Sequence, residues 1–233
     1  MKIALLHSVA GESCKKLAEA LRENGHQVEV FKPWDSGRQN FSDFDVVFAY
    51  GFSGMTYGAP RLNKSLPTQT CINKAMTFAV FNKNQIPTVK WSTEINAEVK
   101  SWWQVCVRQS LDGRKAEGLD WVLKGEKLPK AALYTEAHPG PYEYRVVCFM
   151  GKCVGVYYKR EIDGMHHFKL QSRKGFEQLI KDAEKASKAL GIDYVGYDVI
   201  ARNKRSYAFL EANSGPMLTD EAQQAIINYF NGE

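Results

Sequence analysis

Two short runs decide how this chain is read: Gly196-Tyr197-Asp198-Val199-Ile200 and Phe209-Leu210-Glu211-Ala212-Asn213-Ser214-Gly215-Pro216. Between them lies the polar segment Arg202-Asn203-Lys204-Arg205-Ser206. Apolar, β-favouring residues on either side of a polar turn predict a hairpin, with strands at Val195 to Ala201 and Tyr207 to Ala212. A turn centred on Asn203-Lys204 makes opposed residue numbers sum to about 407, which sets Asp198 against Phe209. Side chains alternate along a strand, so Asp198, Glu211 and Asn213 share one face, with the two carboxylates diagonal and about 7 Å apart at Cβ. Two carboxylates and an amide oxygen converging there are hard ligands, suited to one or two Mg²⁺ ions that bridge substrate phosphates.

Working upstream, Glu143 to Phe149 and Cys153 to Lys159 read as a second strand pair, turned by Met150-Gly151-Lys152. A helix follows, with Phe176, Leu179, Ile180, Ala183 and Leu190 on one face and Gly191 as its stop. Further back, Gln104 to Gln109, Leu119 to Leu123 and Ala132 to Glu136 are short strands of a small antiparallel region. Before it, Met76, Val80 and Phe81 mark a helix over Asn73 to Asn84, ended by Ile86-Pro87. The chain opens as an α/β unit. Strand Ile3 to His7 leads to a helix carrying Leu17 and Leu21, stopped by Gly25, then to a strand at Gln27 to Phe31 and the apolar run Asp45 to Tyr50. Gly51, Gly54 and Gly58 match neither the dinucleotide nor the Walker spacing. At the other end, a last helix starts after Thr219 with Asp220 and Glu221 in its first turn.

Composition bounds the rest. Of 233 residues, 44% are hydrophobic and 24% charged, which excludes a disordered chain. No stretch approaches the roughly 18 uninterrupted apolar residues of a membrane helix. Lys and Arg exceed Asp and Glu by 31 − 26 = 5, a mildly basic balance that suits an anionic ligand. The opening Met1 to Leu6 is too short before His7 and Ser8 for a signal peptide, so no export is expected. Cys14, Cys71, Cys106, Cys148 and Cys153 form no CxxC pair and are odd in number, which argues against a disulfide framework and points to the reducing cytoplasm.

The hairpin residues also carry a resemblance. An aspartate, then a dozen residues, then Glu-x-Asn with a nearby proline resembles the metal-binding end of the ATP-grasp superfamily. The match continues upstream in the right order. Asn73-Lys74-Ala75-Met76 looks like the opening helix, whose lysine reaches the ATP phosphates. Val105-Cys106-Val107-Arg108 looks like the strand that usually ends in a phosphate-binding lysine, followed by a glycine-rich loop ending near Gly118. Here arginine takes that place, and its fork can hold phosphate bidentately. The loop itself has only two glycines, Gly113 and Gly118. Tyr134-Thr135-Glu136, seven residues before Glu143, resembles the hinge that holds adenine and ribose.

The resemblance therefore implies an ATP-grasp fold: an α+β arrangement of two subdomains gripping ATP, preceded by a small Rossmann-like α/β domain. The implied segments are 1–70, 71–137 with the phosphate-covering loop, and 138–233 with the metal-binding hairpin. It implies ATP and Mg²⁺, two ions, as cofactors. Asp198, Glu211 and Asn213 would hold metal, and Lys74, Arg108, Glu136, Glu143 and Lys159 would hold nucleotide. Arg145, Lys159 and Arg160 would serve the reacting groups, although alternation turns Lys159 and Arg160 to opposite faces.

The implied activity is ATP-dependent carboxylate-amine ligation through an acyl-phosphate, with small-molecule or peptide carboxylate and amine substrates. The absence of an evident Ser-His-Asp or Cys-His set agrees with this, since no side-chain nucleophile is needed. A phosphotransferase of the same fold, and a non-catalytic nucleotide- or nucleic-acid-binding module using Trp102-Trp103 beside Arg108, are the alternatives. Scattered rather than striped basic residues argue against nucleic acid. His166-His167 are expected in a loop, and His7, Ser8 and the Gly51 to Tyr57 loop are expected to line an acceptor pocket.

Overall fold

Continuous apolar runs need burial on both faces, and β1 (Lys2–His7) and β3 (Val46–Tyr50) receive it at the centre of a parallel sheet ordered β2-β1-β3-β4. β2 is Gln27–Phe31 and β4 is the short Arg61–Leu62. The computed structural model describes residues 1–7, 11–32, 40–112 and 118–233. Helix α1 (Glu12–Glu23) buries Cys14, Leu17, Ala18 and Leu21 against this sheet, and the chain leaves it through Gly25 at φ 83°, a left-handed turn that glycine adopts without strain. Among the described residues, no helix is long and apolar enough to cross a membrane.

Two further helices follow, α2 (Ser65–Ile72) and α3 (Lys74–Lys83). Only α3 was expected. Its first residue is fixed by Asn73, whose side chain accepts from the Met76 amide at 3.0 Å. α2 has almost no apolar periodicity in Ser65-Leu66-Pro67-Thr68-Gln69-Thr70-Cys71-Ile72 and is held instead by its setting, with Thr68 and Cys71 buried.

A small antiparallel sheet of order β5-β8-β6-β7 comes next, from β5 (Trp91–Ser92), β6 (Gln104–Arg108), β7 (Leu119–Leu123) and β8 (Leu133–Glu136). Val105, Val107, Val122 and Tyr134 form its outer core with Val99 of the short helix α4 (Ala97–Ser101) and Trp102. The alternate residues Cys106 and Arg108 therefore turn to the inner face.

The largest sheet is antiparallel, ordered β11-β10-β9-β12-β13. Its strands are β9 (Tyr142–Phe149), β10 (Lys152–Ile162), β11 (Met165–Leu170), β12 (Tyr194–Asn203) and β13 (Ser206–Asn213). β11 corrects the expectation of a loop at His166-His167. Asp163 and Gly164, with φ of 51° and 73°, close a tight turn that sends the chain back along β10.

One face of this sheet, with Tyr144, Val146, Cys148, Val195, Tyr197 and Val199, is covered by α5 (Glu177–Leu190) and by Phe78 and Phe81 of α3. Helix α3 thus packs on the carboxyl-terminal sheet, across the expected 137/138 boundary. The other face, with Val147, Phe149, Tyr157 and Tyr194, shares a core with Ile3, Leu5, Phe48 and Tyr50 of the parallel sheet and with α6 (Asp220–Asn231).

Asn63 locks the two sheets together. It is fully buried at φ 55°; its amide nitrogen donates to the carbonyls of Tyr194 and Ser214, both at 3.1 Å. Its oxygen accepts from the amides of Asp193 and Tyr194. Three of the four bonds are buried, where an unsatisfied backbone group costs about 1–3 kcal/mol, and the one from the Asp193 amide is part-buried.

Candidate functional site

The hairpin of β12 and β13 differs in register from the sequence-based expectation. Asp198 lies opposite Glu211, not Phe209, and the pairing shifts by one residue between Asp198 and Val199, where Val199 faces Phe209. Leu210 is the extra residue of a bulge, and the turn falls on Lys204-Arg205. Direct opposition brings the two carboxylates nearer than the diagonal placement, to about 4.5–5.5 Å at Cβ. Asn213 lies two residues further along β13, opposite Gly196, on the same face.

Three cations come to this face. Arg145 of β9 is directly opposed to Asp198, and its Nε donates to Asp198 Oδ1. Lys159 of β10 places Nζ at 3.5 Å from Asp198 Oδ2 and at 3.2 Å from Glu143 Oε2. Lys74, the first residue of α3, places Nζ at 3.5 Å from Glu211 Oε2, while Asn213 Nδ2 donates to Glu211 Oε1 at 2.8 Å. The side chains of Arg145, Lys159, Asp198 and Lys74 are only 10–14% exposed, so these contacts form where water screens weakly. Arg108 belongs to the small sheet instead. It stands half-buried on the inner face of the small sheet, its Nε buried without a hydrogen-bond partner among the described residues. An anion would relieve such a donor.

Residues that do no chemistry shape the space. A Cβ at Gly196 would meet Pro216 Cβ at 2.7 Å and Arg145 Cδ at 3.0 Å, so only glycine lets Arg145 lie flat across β12 towards Asp198. Phe168 of β11 lies beneath the Arg145 guanidinium at 5.6 Å. The segment after β13 meets the end of β3, where the Gly51 amide donates to Ser214 carbonyl at 3.1 Å and the Tyr50 hydroxyl donates to Pro216 carbonyl. Burial pushes the Tyr50 phenol up to about 12, so it stays a neutral donor. Arg61 holds the Gly51 to Tyr57 loop through the carbonyls of Phe52 and Gly54, and burial lowers its guanidinium to about 10. His7, at the end of β1 beside Tyr50, is buried, with Nδ1 unpartnered among the described residues. Ser8 lies outside the described residues.

The structure thus gathers Asp198, Glu211, Asn213, Lys74, Arg145, Lys159 and Glu143 in one connected group. Arg160 is not among them. It points to the opposite face of β10, stacked on Tyr158 at 4.9 Å, because successive side chains alternate. Glu136 also stays apart. Its partner in β6 is Val105 of the outer core, and its carboxylate meets Lys90 at 3.5 Å. Of the loop expected to cover phosphate, 113–117 lie outside the described residues, while Leu111 carbonyl accepts from the Lys74 amide at 3.1 Å and ties the loop's start to α3. Sequence reading missed Gly196, Phe168 and Asn63. Only Gly196 carried a signal, as a glycine inside an otherwise apolar strand.

No group of three or more His, Cys, Asp and Glu side chains among the described residues could hold a metal. The donor set nevertheless fits Mg²⁺, which takes one or two carboxylates and completes its shell with phosphate and water. Asp198 and Glu211 supply the carboxylates and Asn213 Oδ1 a neutral oxygen.

No family model and no curated protein matches this chain. Solved structures do. D-alanine–D-alanine ligase from Bacillus anthracis, complexed with ATP, superposes with a TM-score of 0.69 at 16% identity, covering 100% of this chain and 92% of that one. The ATP-grasp ligase PsnB, complexed with minimal precursor, Mg and ADP, gives 0.72 at 14%, covering 99% and 96%. The macrocyclase MdnC from Microcystis aeruginosa, bound with precursor peptide MdnA, gives 0.70 at 13%, covering 98% and 99%. The chain has the ATP-grasp fold.

Proposed function

We propose that this chain is an ATP-dependent carboxylate-amine ligase, forming an amide through an acyl-phosphate and releasing ADP and phosphate. One observation carries the reading: two opposed carboxylates, Asp198 and Glu211, are neutralised by cations from three separate elements, in the fold of nucleotide-binding ligases. A purely structural face of a sheet has little use for so many weakly hydrated charges.

Asp198, Glu211 and Asn213 would hold Mg²⁺, which when bound supplies charge neutralisation on the ATP phosphates. Lys74 and Arg108, from facing elements, would grip the phosphates. Glu143 would take the ribose hydroxyls, an acceptor for a diol. Lys159 and Arg145 exchange Asp198 for the acceptor carboxylate and the transferring phosphoryl group. They hold these in line and offset charge as it develops. The carboxylate oxygen attacks the γ-phosphorus and ADP leaves; the amine then attacks the acyl carbon, phosphate leaves, and the amine proton passes to solvent. The substrates are small-molecule or peptide carboxylates and amines. Five cysteines that are all free and buried support a reducing, cytoplasmic setting.

The test is ADP and phosphate release from Mg-ATP with pooled amino acids and short peptides, with and without hydroxylamine. Wild type should turn over in a pool-dependent way and yield hydroxamate, and Glu211→Ala should not, with an unchanged circular dichroism spectrum. A stable phosphate ester in place of hydroxamate would make the chain a phosphotransferase. Undiminished turnover by both Glu211→Ala and Asp198→Ala would overturn the site.

A further inference from the structure

The face to which Arg160 turns is itself organised. Arg160 is paired across the ladder with His167, and Tyr158 with Lys169. These four side chains, with Ile162 and Gln171, line a groove of about 350 Å³. Tyr158 continues into Tyr142 at 6.3 Å between ring centroids, and Tyr142 is 42% exposed, so the groove has an aromatic floor open to solvent. Among the described residues, neither Arg160 nor Lys169 nor His167 takes part in an ion pair. The nearest chain acid, Glu161, lies on the other face by alternation.

The second feature is the edge. β11 is the last strand of its sheet, all but one of its six residues are exposed, and no described strand pairs with its outer side. An open edge carries a row of unpaired amides and carbonyls and invites a further strand. We propose that β11 docks an extended acidic peptide segment by strand addition, its main chain pairing with β11 and its alternate carboxylates facing Arg160, His167 and Lys169. The spacing fits: on an added strand every second side chain falls on this face, matching His167 and Lys169 at alternate positions of β11, with Arg160 of β10 directly behind His167. The free cations specify acid, and the edge specifies extended backbone. A nucleic acid would use the cations and rings but leave the strand edge unpaired.

Binding rather than turnover is the readout, so the proposal stands or falls apart from the ligase reading. A fluorescein-labelled short peptide of alternating glutamate and threonine is titrated with the full chain and followed by anisotropy. Wild type should bind it. The Arg160→Glu/Lys169→Glu double variant should bind roughly tenfold or more weakly, since both attractive charge pairs with the peptide become repulsive. The same peptide N-methylated at alternate amides should lose binding to wild type, because it keeps its charge but cannot pair with an edge. That arm needs no variant to fold. Equal binding of the methylated peptide, or of the double variant, would overturn strand addition or the cation row respectively. No binding of the parent peptide would overturn both, and tighter binding of oligothymidylate than of peptide would make the groove a nucleic-acid site.

Discussion

Replacing Arg145 with methionine tests the electrostatics of the sheet face most directly. Arg145 and Asp198 are opposed residues of β9 and β12, and each side chain is 14% exposed. Methionine keeps most of the aliphatic volume but strands the carboxylate with Lys159 alone, at 3.5 Å. Breaking a buried pair from one side costs about 3–5 kcal/mol, and the surviving lysine and residual hydration place this case at the lower limit, about 3 kcal/mol. For 233 residues, an unfolding entropy of about 2.1 cal/mol/K per residue amounts to ~0.5 kcal/mol/K, so melting should fall by about 6 °C. The informative step is to add Asp198→Asn. If the cost comes from an uncompensated charge, removing that charge helps, and R145M/D198N should recover about 1–2 kcal/mol relative to the sum of the single variants. Thermal unfolding of the four proteins by circular dichroism, without nucleotide or metal, reads both numbers. R145M melting with the wild type, or a double variant that falls by the sum of the singles, would refute the reasoning.

Other outcomes follow from packing and burial. Gly196→Ala should cost about 1–3 kcal/mol by overpacking against Pro216 and Arg145, seen as a lower urea midpoint with an unchanged slope. Asn63→Ala should cost about 3 kcal/mol or more, since it removes the side-chain partners of the Asp193 amide and of the buried Tyr194 amide and carbonyl, while the Ser214 carbonyl keeps the Gly51 amide; limited proteolysis should then cut near the parallel sheet first. Burial pushes the Cys14 thiol from 9.0 up to about 11. The folded state therefore holds this proton longer, and its contribution is intact below pH 9 and lost as pH rises through 11. Cys14→Ala should flatten that alkaline decline by up to about 3 kcal/mol in melts taken across this window.

Some of this was legible before any coordinates. Periodicity located the carboxyl-terminal strands and helices because their apolar faces repeat cleanly, and Asn73 and Thr219 marked helix starts because their side chains satisfy first-turn amides. Alternation set Asp198, Glu211 and Asn213 on one face only through a register the hairpin does not have: Phe209 faces Val199, and the bulge at Leu210 is what turns Glu211 to the side of Asp198. Helix α2 and strand β11 were not legible, since one lacks an apolar stripe and the other is a largely exposed edge.

What the sequence by itself determined about this protein is local and periodic: which residues of an unbroken strand share a face, where helices begin, and that Lys159 and Arg160 must part company. Tertiary structure alone decided the rest. The bulge at Leu210 set Asp198 against Glu211, since a hairpin's register depends on where a bulge falls and not only on its turn. The meeting of Lys74 with Glu211, and of Arg145 and Lys159 with Asp198, joins residues separated by 39 to 137 positions. Such contacts depend on how sheets and helices stack about a shared core, a property of the whole chain that no stretch of it encodes alone.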